Sequence, residues 1–223
     1  MATYVYLPFA TAEARSIADS WNYGRGKKQK TAYEVIERPN GLTPALLRRL
    51  SIRVLSRVSS NDKLYILSHA GSVTRGLNQP AVQIGMDVGA TEKSKWPPVW
   101  EGGVWKGFTP EKLAAHLEAE GLTKSIADVR LFACGTGIPH STKIPAFAKR
   151  LKTELLKRGY KQVMVSGYLG ESTANYNFRK YVPNTGSTQN ASPNMLEYTA
   201  DQHKGVKDDS GDLVPASTRR VTF

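Results

Sequence analysis

The sequence predicts a three-layer α/β/α fold with a mostly parallel sheet of about five to six strands. Short β-branched and aromatic segments alternate along the chain with longer segments whose apolar residues recur every three or four positions. Strands that alternate with helices form parallel sheets through right-handed connections. The chain has 223 residues, of which 40% are hydrophobic, so it can bury a sizeable core. No internal repeat interrupts the alternation, and we therefore expect one domain over 1–223.

The first elements are a strand, a helix and a second strand. "TYVYL" (3–7) is β-branched and aromatic, as is typical of a strand, and "TAYEVIE" (31–37) is the next such segment. Between them, "TAEARSIADSW" has the apolar spacing of one helical face. That face consists of Ala14, Ile17, Ala18 and Trp21.

A second helix and a third strand follow. Thr43 can cap this helix, and Pro44 suits its first turn. The four-residue spacing extends its core stripe through Leu46, Leu50, Val54 and Val58. "KLYILS" (63–68) is strongly apolar and predicts a buried strand.

The later elements repeat the alternation. Thr109 and Pro110 open a helix that Gly121 closes. "DVRLFAC" (128–134) and "QVMVSGY" (162–168) predict the fourth and fifth strands. Between these strands lies a helix that ends at Gly159. Its predicted stripe is Ile144, Phe147, Leu151 and Leu155.

Two segments depart from the alternation. Residues 72–108 contain the strand-like "AVQIGMDVGA" and the tryptophan-rich "KWPPVWEGGVWKGF", which predict a hairpin or flap with a small apolar cluster of its own. Residues 171–223 form a loop-rich C-terminal excursion that is polar up to about 216. Residues 217–223 are expected to add a last strand at a sheet edge.

The formal net charge of +12 favours anionic partners, although a basic surface is also common on soluble proteins. The cations concentrate in 25–31 and in the predicted helix of 143–161. Only Phe147 and Tyr160 are interleaved with the latter, and both suit the core, which disfavours single-stranded nucleic acid. No apolar run is long enough for a membrane-spanning helix.

Composition also limits cofactors and compartment. One cysteine excludes an internal disulfide and any multi-cysteine metal site. No Gly-x-Gly-x-x-Gly follows the first strand, and "KDDSGD" (207–212) lacks calcium-loop spacing, so no cofactor and no metal are expected. The N-terminal segment lacks the basic and long apolar regions of a signal peptide, which predicts synthesis and folding in a cytosol.

Reactive side chains follow three of the predicted strands. Binding sites of open α/β sheets lie at the carboxyl ends of the strands. The third strand delivers His69 and the fourth delivers Cys134. The fifth strand ends with Ser166, Tyr168 and Glu171.

These residue types suit thiol chemistry. A thiol attacks as its thiolate, and a nearby imidazole can remove its proton or protonate a leaving amine. Gly71, Gly135 and Gly137 leave room for a substrate carbonyl, and backbone N–H groups there can stabilise an oxyanion. A lone cysteine or strand-end histidine is more often structural, but their joint placement favours a site.

The other histidines carry less signal. His116 is predicted on a helix surface, and His140 in a solvated loop where it is an alternative base. His203 lies in the polar tail.

With "YILSHAGS" and "VRLFACGTG" at these strand ends, the chain resembles the caspase-like (clan CD) cysteine peptidases over residues 3–170. It is most similar to the cysteine protease domains of bacterial toxins and related secreted effectors. The resemblance implies a caspase-like sheet and a protein or peptide substrate. It also implies delivery into another cell without a cleavable signal peptide. Some such domains are switched on by an inositol polyphosphate, so an anionic activator is an added expectation.

The resemblance assigns roles to individual residues. His69 would be the catalytic histidine and Cys134 the nucleophile. Ser166, Gly167 and Tyr168 would line the pocket for the residue before the scissile bond. Relatives usually have Gly directly after the histidine, whereas here Ala70 precedes Gly71, so either N–H is a candidate oxyanion donor. The acidic residues considered for binding a basic substrate side chain are Glu171, Asp87 and Glu101.

The sequence leaves two alternative functions open. One is a catalytically inactive or non-peptidase module of the same fold that binds polyphosphate or nucleic acid through its basic surface. The other is a different thiol enzyme, such as a transferase or deamidase, that uses the same His–Cys pair.

Overall fold

The computed structural model describes residues 1–27, 29–38, 46, 49–50, 52–71, 80–95, 98–170, 172–173, 205–207 and 213–223. In chain order the strands are β1 (Thr3–Leu7), β2 (Glu34–Glu37), β3 (Lys63–Leu67), β4 (His69–Gly71), β5 (Gln83–Val88), β6 (Thr91–Lys95), β7 (Pro98–Glu101), β8 (Val104–Phe108), β9 (Asp128–Phe132), β10 (Met164–Tyr168), β11 (Ser172–Thr173), β12 (Gly205–Lys207), β13 (Leu213–Pro215) and β14 (Arg220–Thr222). The α-helices are α1 (Ala12–Lys27), α2 (Pro110–Ala119) and α3 (Phe147–Lys157), and a 3₁₀ turn spans Ala216–Arg219.

A six-stranded, mostly parallel sheet lies at the centre of the molecule. Its strand order is β14-β10-β9-β3-β1-β2. The five strands from β10 to β2 are parallel to their neighbours, and β14 pairs antiparallel with β10 at the edge. The prediction of an α/β protein with a mostly parallel sheet of five to six strands is confirmed.

The sheet residues divide between two buried apolar clusters. Along β1, Tyr4 and Tyr6 belong to the larger cluster, which includes the apolar residues of α2 and α3. Val5 and Leu7 belong to the second cluster, which includes α1. The alternation follows from the two-residue period of a strand, because successive side chains point to opposite sides.

The predicted helix ends are explained by local chemistry. Thr109 Oγ1 accepts a hydrogen bond from Lys112 N at 3.4 Å and caps α2, and Pro110 occupies its first turn. Gly121 follows α2 with φ of 84°, a left-handed conformation that favours glycine. In the predicted face of α1, Ala14, Ala18 and Trp21 are buried, and Ile17 is partly buried against the same cluster.

The predicted helix over 43–58 is wrong in its second half. Leu46 and Arg49 are helical, but residues 52–62 form turns and irregular backbone. Leu50 is 53% exposed, whereas Leu55, outside the predicted stripe, is fully buried. Leu55 N donates to Glu120 O at 2.9 Å, so a tertiary contact with the end of α2 replaces the helical pattern. Thr43 and Pro44 lie outside the described residues.

A similar correction applies to the start of α3. Its predicted stripe began at Ile144, but that residue is 43% exposed and precedes the helix. Phe147, Leu151 and Leu155 are buried as predicted. The loop before the helix folds back on itself, because His140 N donates to Ile144 O at 3.0 Å.

The segment after β3 forms two small antiparallel units. β4, β5 and β8 make a three-stranded sheet, and β6 pairs with β7. Residues 72–79 and 96–97 of the predicted flap lie outside the described part of the chain. Val104 and Trp105 are exposed, and the buried Ile84 and Met86 belong to the two main clusters, so these four residues form no cluster of their own.

Within the described residues, no helix has the length and apolar character needed to cross a lipid bilayer.

Candidate functional site

The strand register places His69 and Cys134 at equivalent positions on neighbouring strands. β3 and β9 are parallel, with Leu67 opposite Phe132. His69 lies two residues after Leu67, and Cys134 lies two residues after Phe132. Ser68 N also donates to Phe132 O at 3.4 Å, which continues the pairing past the strand ends. The sheet therefore delivers both residues to one edge, its carboxyl edge.

The strand residues that precede His69 and Cys134 lie on the same side of the sheet. Leu67 and Phe132 belong to the cluster that packs against α1. Residues two apart in an extended chain point in the same direction. The His69 side chain follows this rule, because it reaches Glu13 on α1. Cys134 also lies two residues after its strand position, but residues 134–137 form a turn, so strand alternation does not set the direction of its side chain, which is half-buried.

Glu13 is the residue of this edge that the sequence reasoning missed. It lies in the first turn of α1, and its Oε1 is 2.9 Å from His69 Nε2. The His69 side chain is 44% exposed and that of Glu13 is 18% exposed. The available signal was a carboxylate in the first turn of the helix after β1, because that turn begins at the carboxyl edge of the sheet.

The surroundings of His69 favour its protonated form. Partial burial alone would lower its pKa. The hydrogen bond to Glu13 and the negative charges of Glu13 and Asp87 outweigh that effect, so the pKa of His69 is raised above its ordinary value. A raised pKa keeps a larger share of the imidazole protonated near neutral pH.

The loop after Cys134 is held by backbone hydrogen bonds to several elements. Gly135 N donates to Gly170 O at 2.9 Å, and Gly137 N donates to Tyr168 O at 2.9 Å. On its other side, Ala81 N donates to Gly135 O at 3.2 Å. A loop tied in this way presents its cysteine from a fixed backbone, as a reactive site requires.

Thr136 adds a side-chain link inside this loop. It is fully buried, and its Oγ1 donates to Ala133 O at 3.0 Å and accepts from Tyr168 N at 3.2 Å. Its carbonyl accepts from Ala148 N at 3.0 Å, next to the start of α3. No catalytic motif identifies this residue in the sequence, since its role is to join β9, β10 and α3.

The candidate oxyanion donors are placed differently from one another. The Gly135 N–H is occupied by Gly170, so in this structure it is not available for an oxyanion. Ala70 and Gly71 lie in β4 opposite Ile84 and Gln83 of β5. Because alternate residues of an antiparallel strand donate to the partner strand, one of these two N–H groups is engaged with β5, and the other remains a candidate next to His69.

The residues predicted to line a substrate pocket are mostly buried. Ser166 is 3% exposed with its Oγ 2.8 Å from Thr222 Oγ1, and Tyr168 is 2% exposed. A Cβ on Gly167 would lie 2.6 Å from the carbonyl carbon of Thr136, so this glycine packs under the Cys134 loop. In this conformation β10 supports the loop and does not form an open pocket wall. Glu171 lies outside the described residues.

The prediction that His116 lies on the surface is wrong. It is 4% exposed, and its Nε2 lies 2.7 Å from Tyr6 Oη. Its ring stacks on Phe108 at 4.7 Å between centroids. Position 116 shares a helical face with Leu113 and Leu117, which the sequence reasoning overlooked. Burial, and secondarily the charge of Arg38, lowers the pKa of His116 to about 3.

Of the two other histidines, His140 is exposed in the loop before α3, as predicted. His203 lies outside the described residues.

Part of the positive charge is gathered around a cavity of about 720 Å³. Arg53, Lys124 and Arg158 contribute cations to its lining, together with Glu118. Glu118 pairs with Lys124 and, at 2.7 Å, with Arg158. The cavity lining therefore has three cationic side chains and one carboxylate, Glu118, with which Lys124 and Arg158 both pair.

A search against protein-family models found no matching family, and a search of the curated proteins found no matching relative. Over the part of the chain that the structure describes, no group of three or more His, Cys, Asp or Glu residues is arranged to hold a metal ion.

Proposed function

We propose that the protein is a cysteine endopeptidase, or a closely related thiol hydrolase, with Cys134 as nucleophile and His69 as acid and base. The observation that carries the proposal is the register of β3 and β9, which sets both residues two positions past an aligned pair. Glu13 supports it, because it holds His69 Nε2 and leaves Nδ1 as the nitrogen for proton transfer. This role for Glu13 follows the general logic of nucleophile, base and orienting group.

The reaction proceeds in two halves. The Cys134 thiolate attacks the scissile carbonyl carbon, and the negative charge moves to the carbonyl oxygen, near the N–H group of Ala70 or Gly71 that is not bonded to β5. Collapse of this intermediate breaks the C–N bond, and the His69 imidazolium protonates the departing amine. A thioester remains. His69 then removes a proton from water, which attacks the thioester to release a carboxylic acid and regenerate the thiolate.

The raised pKa of His69 suits this cycle. An imidazolium beside a thiol stabilises the thiolate, and it also stores the proton that the leaving amine needs. The charges of Glu13 and Asp87 favour that imidazolium. The site thus favours the imidazolium half of the ion pair with which the reaction begins.

We also infer that the chain forms a single domain with a caspase-like, three-layer α/β/α arrangement. The strand order and the two apolar clusters support this inference. The resemblance also supports synthesis in a cytoplasm and delivery into another cell as an effector. A transferase or deamidase would use the same first half-reaction with a different acceptor or amide.

The deciding experiment is the alkylation of Cys134 by iodoacetamide as a function of pH, followed by intact mass. One cysteine makes the signal unambiguous. We expect fast alkylation at pH 6–7 in the wild type and a large loss in His69→Ala. His140→Ala, which changes an exposed loop histidine, is the matched control and should match the wild type. Equal rates in wild type and His69→Ala would refute the dyad, as would full peptidase activity in Cys134→Ala.

The cavity lined by Arg53, Lys124 and Arg158 favours a second candidate function, the binding of a polyphosphate. Binding dominated by phosphate contacts should weaken steeply with salt. Calorimetric titration of tripolyphosphate into wild type and Arg53→Ala separates this function from the first. Absence of heat in both proteins, at low salt, would end it.

A further inference from the structure

The sheet that begins with His69 has one face on which several features converge. Across β4, β5 and β8, the directly opposed pairs are His69 with Gly85, Gly71 with Gln83, Gly85 with Gly107, and Asp87 with Trp105. Opposed residues share a face, and residues two apart along a strand share it too. The members of this surface, which we call the His69 face, are His69, Gly71, Gln83, Gly85, Asp87, Trp105 and Gly107.

The Trp105 side chain lies across this face toward His69. Its Nε1 donates to Gln83 Oε1 at 3.3 Å. A Cβ on Gly107 would lie 2.8 Å from Nε1, and one on Gly71 would lie 3.2 Å from Cζ2. The indole therefore reaches from β8 to β4, over glycines that leave room for it. It ends beside the candidate oxyanion position, two residues from His69.

Trp105 is partly open to solvent. The Trp105 residue is 37% exposed, and its neighbour Val104 is 68% exposed. On the opposite face of β5, Ile84 and Met86 are buried in the main clusters. The opposite side of the small sheet therefore packs on the core, and the His69 face presents an aromatic ring close to the proposed catalytic histidine.

Negative charge is placed on the same face. Asp87 is exposed and directly opposite Trp105. Its charge acts on His69, where it contributes to the raised pKa. Together with Glu13, it makes the surroundings of His69 acidic in a chain whose net charge is +12.

We propose that the His69 face binds the lysine or arginine side chain of a polypeptide substrate, with the cation beside Asp87 and the apolar stem along the Trp105 ring. This inference rests on the proposed function, because it names the substrate class of that site. An indole attracts cations through its π face, and long basic side chains lay their methylene groups on apolar surfaces. An acidic side chain would meet Asp87 and Glu13 with like charge.

The alternatives are separated by their chemistry. A purely apolar substrate side chain would use the ring but would desolvate the Asp87 carboxylate without compensation. A basic side chain gains from both groups. An exposed ion pair typically changes a rate constant by about 1.4- to fivefold, and this is the preference that we expect from Asp87.

The first test uses irreversible probes that share one reactive group. Acyloxymethyl ketones of acetyl-arginine, acetyl-leucine and acetyl-aspartate are compared by their rates of Cys134 labelling, each divided by the iodoacetamide rate of the same protein. We expect the arginine probe to react fastest. Asp87→Asn should lower the arginine-to-leucine ratio about 1.4- to fivefold, and Trp105→Ala should lower it as well. Asp19→Asn, the same change at an exposed position on α1, should leave it unchanged.

The second test measures binding without catalysis. In the Cys134→Ala protein, the indole N–H signal of Trp105 is assigned by its absence in Trp105→Phe. Acetyl-arginine methylamide should shift that signal, acetyl-leucine methylamide should shift it less, and Asp87→Asn should weaken the arginine response.

The outcomes of the two tests separate the inference from the proposed function. A leucine or aspartate preference, an unchanged ratio in Asp87→Asn, or an unmoved Trp105 signal would overturn the inference. Iodoacetamide labelling that does not depend on His69 would overturn the thiol mechanism. In that case the Trp105 signal still decides whether the face binds basic side chains.

Discussion

His69 and His116 show how two histidines of one chain take opposite roles. His69 is half-exposed and bound to Glu13, and its pKa is raised. His116 is buried against Tyr6 and Phe108, and its pKa is lowered to about 3. Because only the first combines access to solvent with a carboxylate partner, it is the one suited to exchange protons with a substrate.

The contact between Glu13 and His69 makes a prediction about the pH dependence of Cys134. In Glu13→Gln, the hydrogen bond to His69 can persist but the negative charge is lost, so the imidazolium is less favoured. The rise of the iodoacetamide alkylation rate with pH should then move upward by about one pH unit. The labelling reaction is quenched at timed intervals between pH 5 and 9, and intact mass gives the rate for the wild type and for Glu13→Gln.

Glu37→Gln is the control for the Glu13→Gln experiment. Glu37 also pairs with a basic side chain, that of Arg15 on α1, but at an exposed site. Glu37→Gln should leave the alkylation profile in place. A Glu13→Gln profile that coincides with the wild type would show that Glu13 only anchors α1 and does not act on His69.

At the scale of elements, the link between β10 and the Cys134 loop is a close backbone contact. A Cβ on Gly167 would lie 2.6 Å from Thr136 C and 2.7 Å from Gly137 N, both backbone atoms. Backbone atoms cannot rotate away as the end of a flexible side chain can. The loop and the strand would have to separate to admit even one methyl group.

Gly167→Ala should therefore destabilise the protein by about 1–3 kcal/mol, as overpacking typically does. It should also change the alkylation rate of Cys134, because the loop that carries the cysteine moves. Urea unfolding followed by tryptophan fluorescence measures the first effect, and iodoacetamide labelling in native buffer measures the second.

Gly26→Ala is the matched control for that substitution. Gly26 lies in α1, and apart from the neighbouring helix backbone no atom lies within 4 Å of an added Cβ, so alanine should stabilise the helix by about 0.5–1 kcal/mol. Equal stability changes in the two variants would mean that the contact between Gly167 and Thr136 is looser than the structure shows.

The elements that the sequence predicted well are those with strong local signals. Short β-branched, aromatic and apolar runs identified the five parallel strands, and Thr109 with Gly121 marked both ends of α2. The helix prediction failed at residues 52–58, where a hydrogen bond from Leu55 to the end of α2 overrides a helical pattern. A contact between residues distant in the chain has no signature in local spacing.

The candidate site was predictable only in part for the same reason. The alternation of strands and helices, with the strand-end rule, is enough to predict that His69 and Cys134 share one edge of the sheet. Glu13 is 56 residues from His69 along the chain. The His69 face likewise depends on the register of β4, β5 and β8, which decides that Asp87 and Trp105 stand opposite each other. Pairing register between separate segments is a tertiary property.

At the scale of the whole molecule, the charge distribution is uneven. The net charge is +12, and some cations near α2 and α3 pair with acidic side chains, as Arg150 does with Glu111 and Arg158 with Glu118. The surroundings of His69 are acidic by contrast. A basic protein with an acidic site can repel cationic substrates at long range and still bind them at the site, so low salt should slow their association.

The buried His116 couples the stability of the whole protein to pH. Its folded-state pKa is about 3, compared with an ordinary value near 6.5. As pH falls below about 6.5, the unfolded chain takes up a proton that the folded protein does not, so the free energy of unfolding decreases. Glu120 Oε1 lies 3.7 Å from His116 Nε2 and 3.3 Å from Arg38 Nε, and burial raises the pKa of Glu120. As pH falls, the folded protein therefore takes up a proton on Glu120 before the unfolded chain does, which increases the free energy of unfolding and opposes the effect of His116.

His116→Gln should remove the histidine part of this dependence. Glutamine can accept the hydrogen bond of Tyr6 but does not titrate, so the variant should be less stable than the wild type at pH 7.5, through lost packing on Phe108. The gap in unfolding free energy should shrink by about 2 kcal/mol between pH 6.5 and 5, since each pH unit contributes about 1.4 kcal/mol. Urea unfolding at four pH values measures this gap.

His140→Gln, at an exposed loop position, is the control and should have the same pH dependence of stability as the wild type. Parallel curves for wild type and His116→Gln would mean that the folded protein accepts a proton on His116 as readily as the unfolded chain does, and that the pocket between Tyr6, Phe108 and Glu120 opens to water in solution.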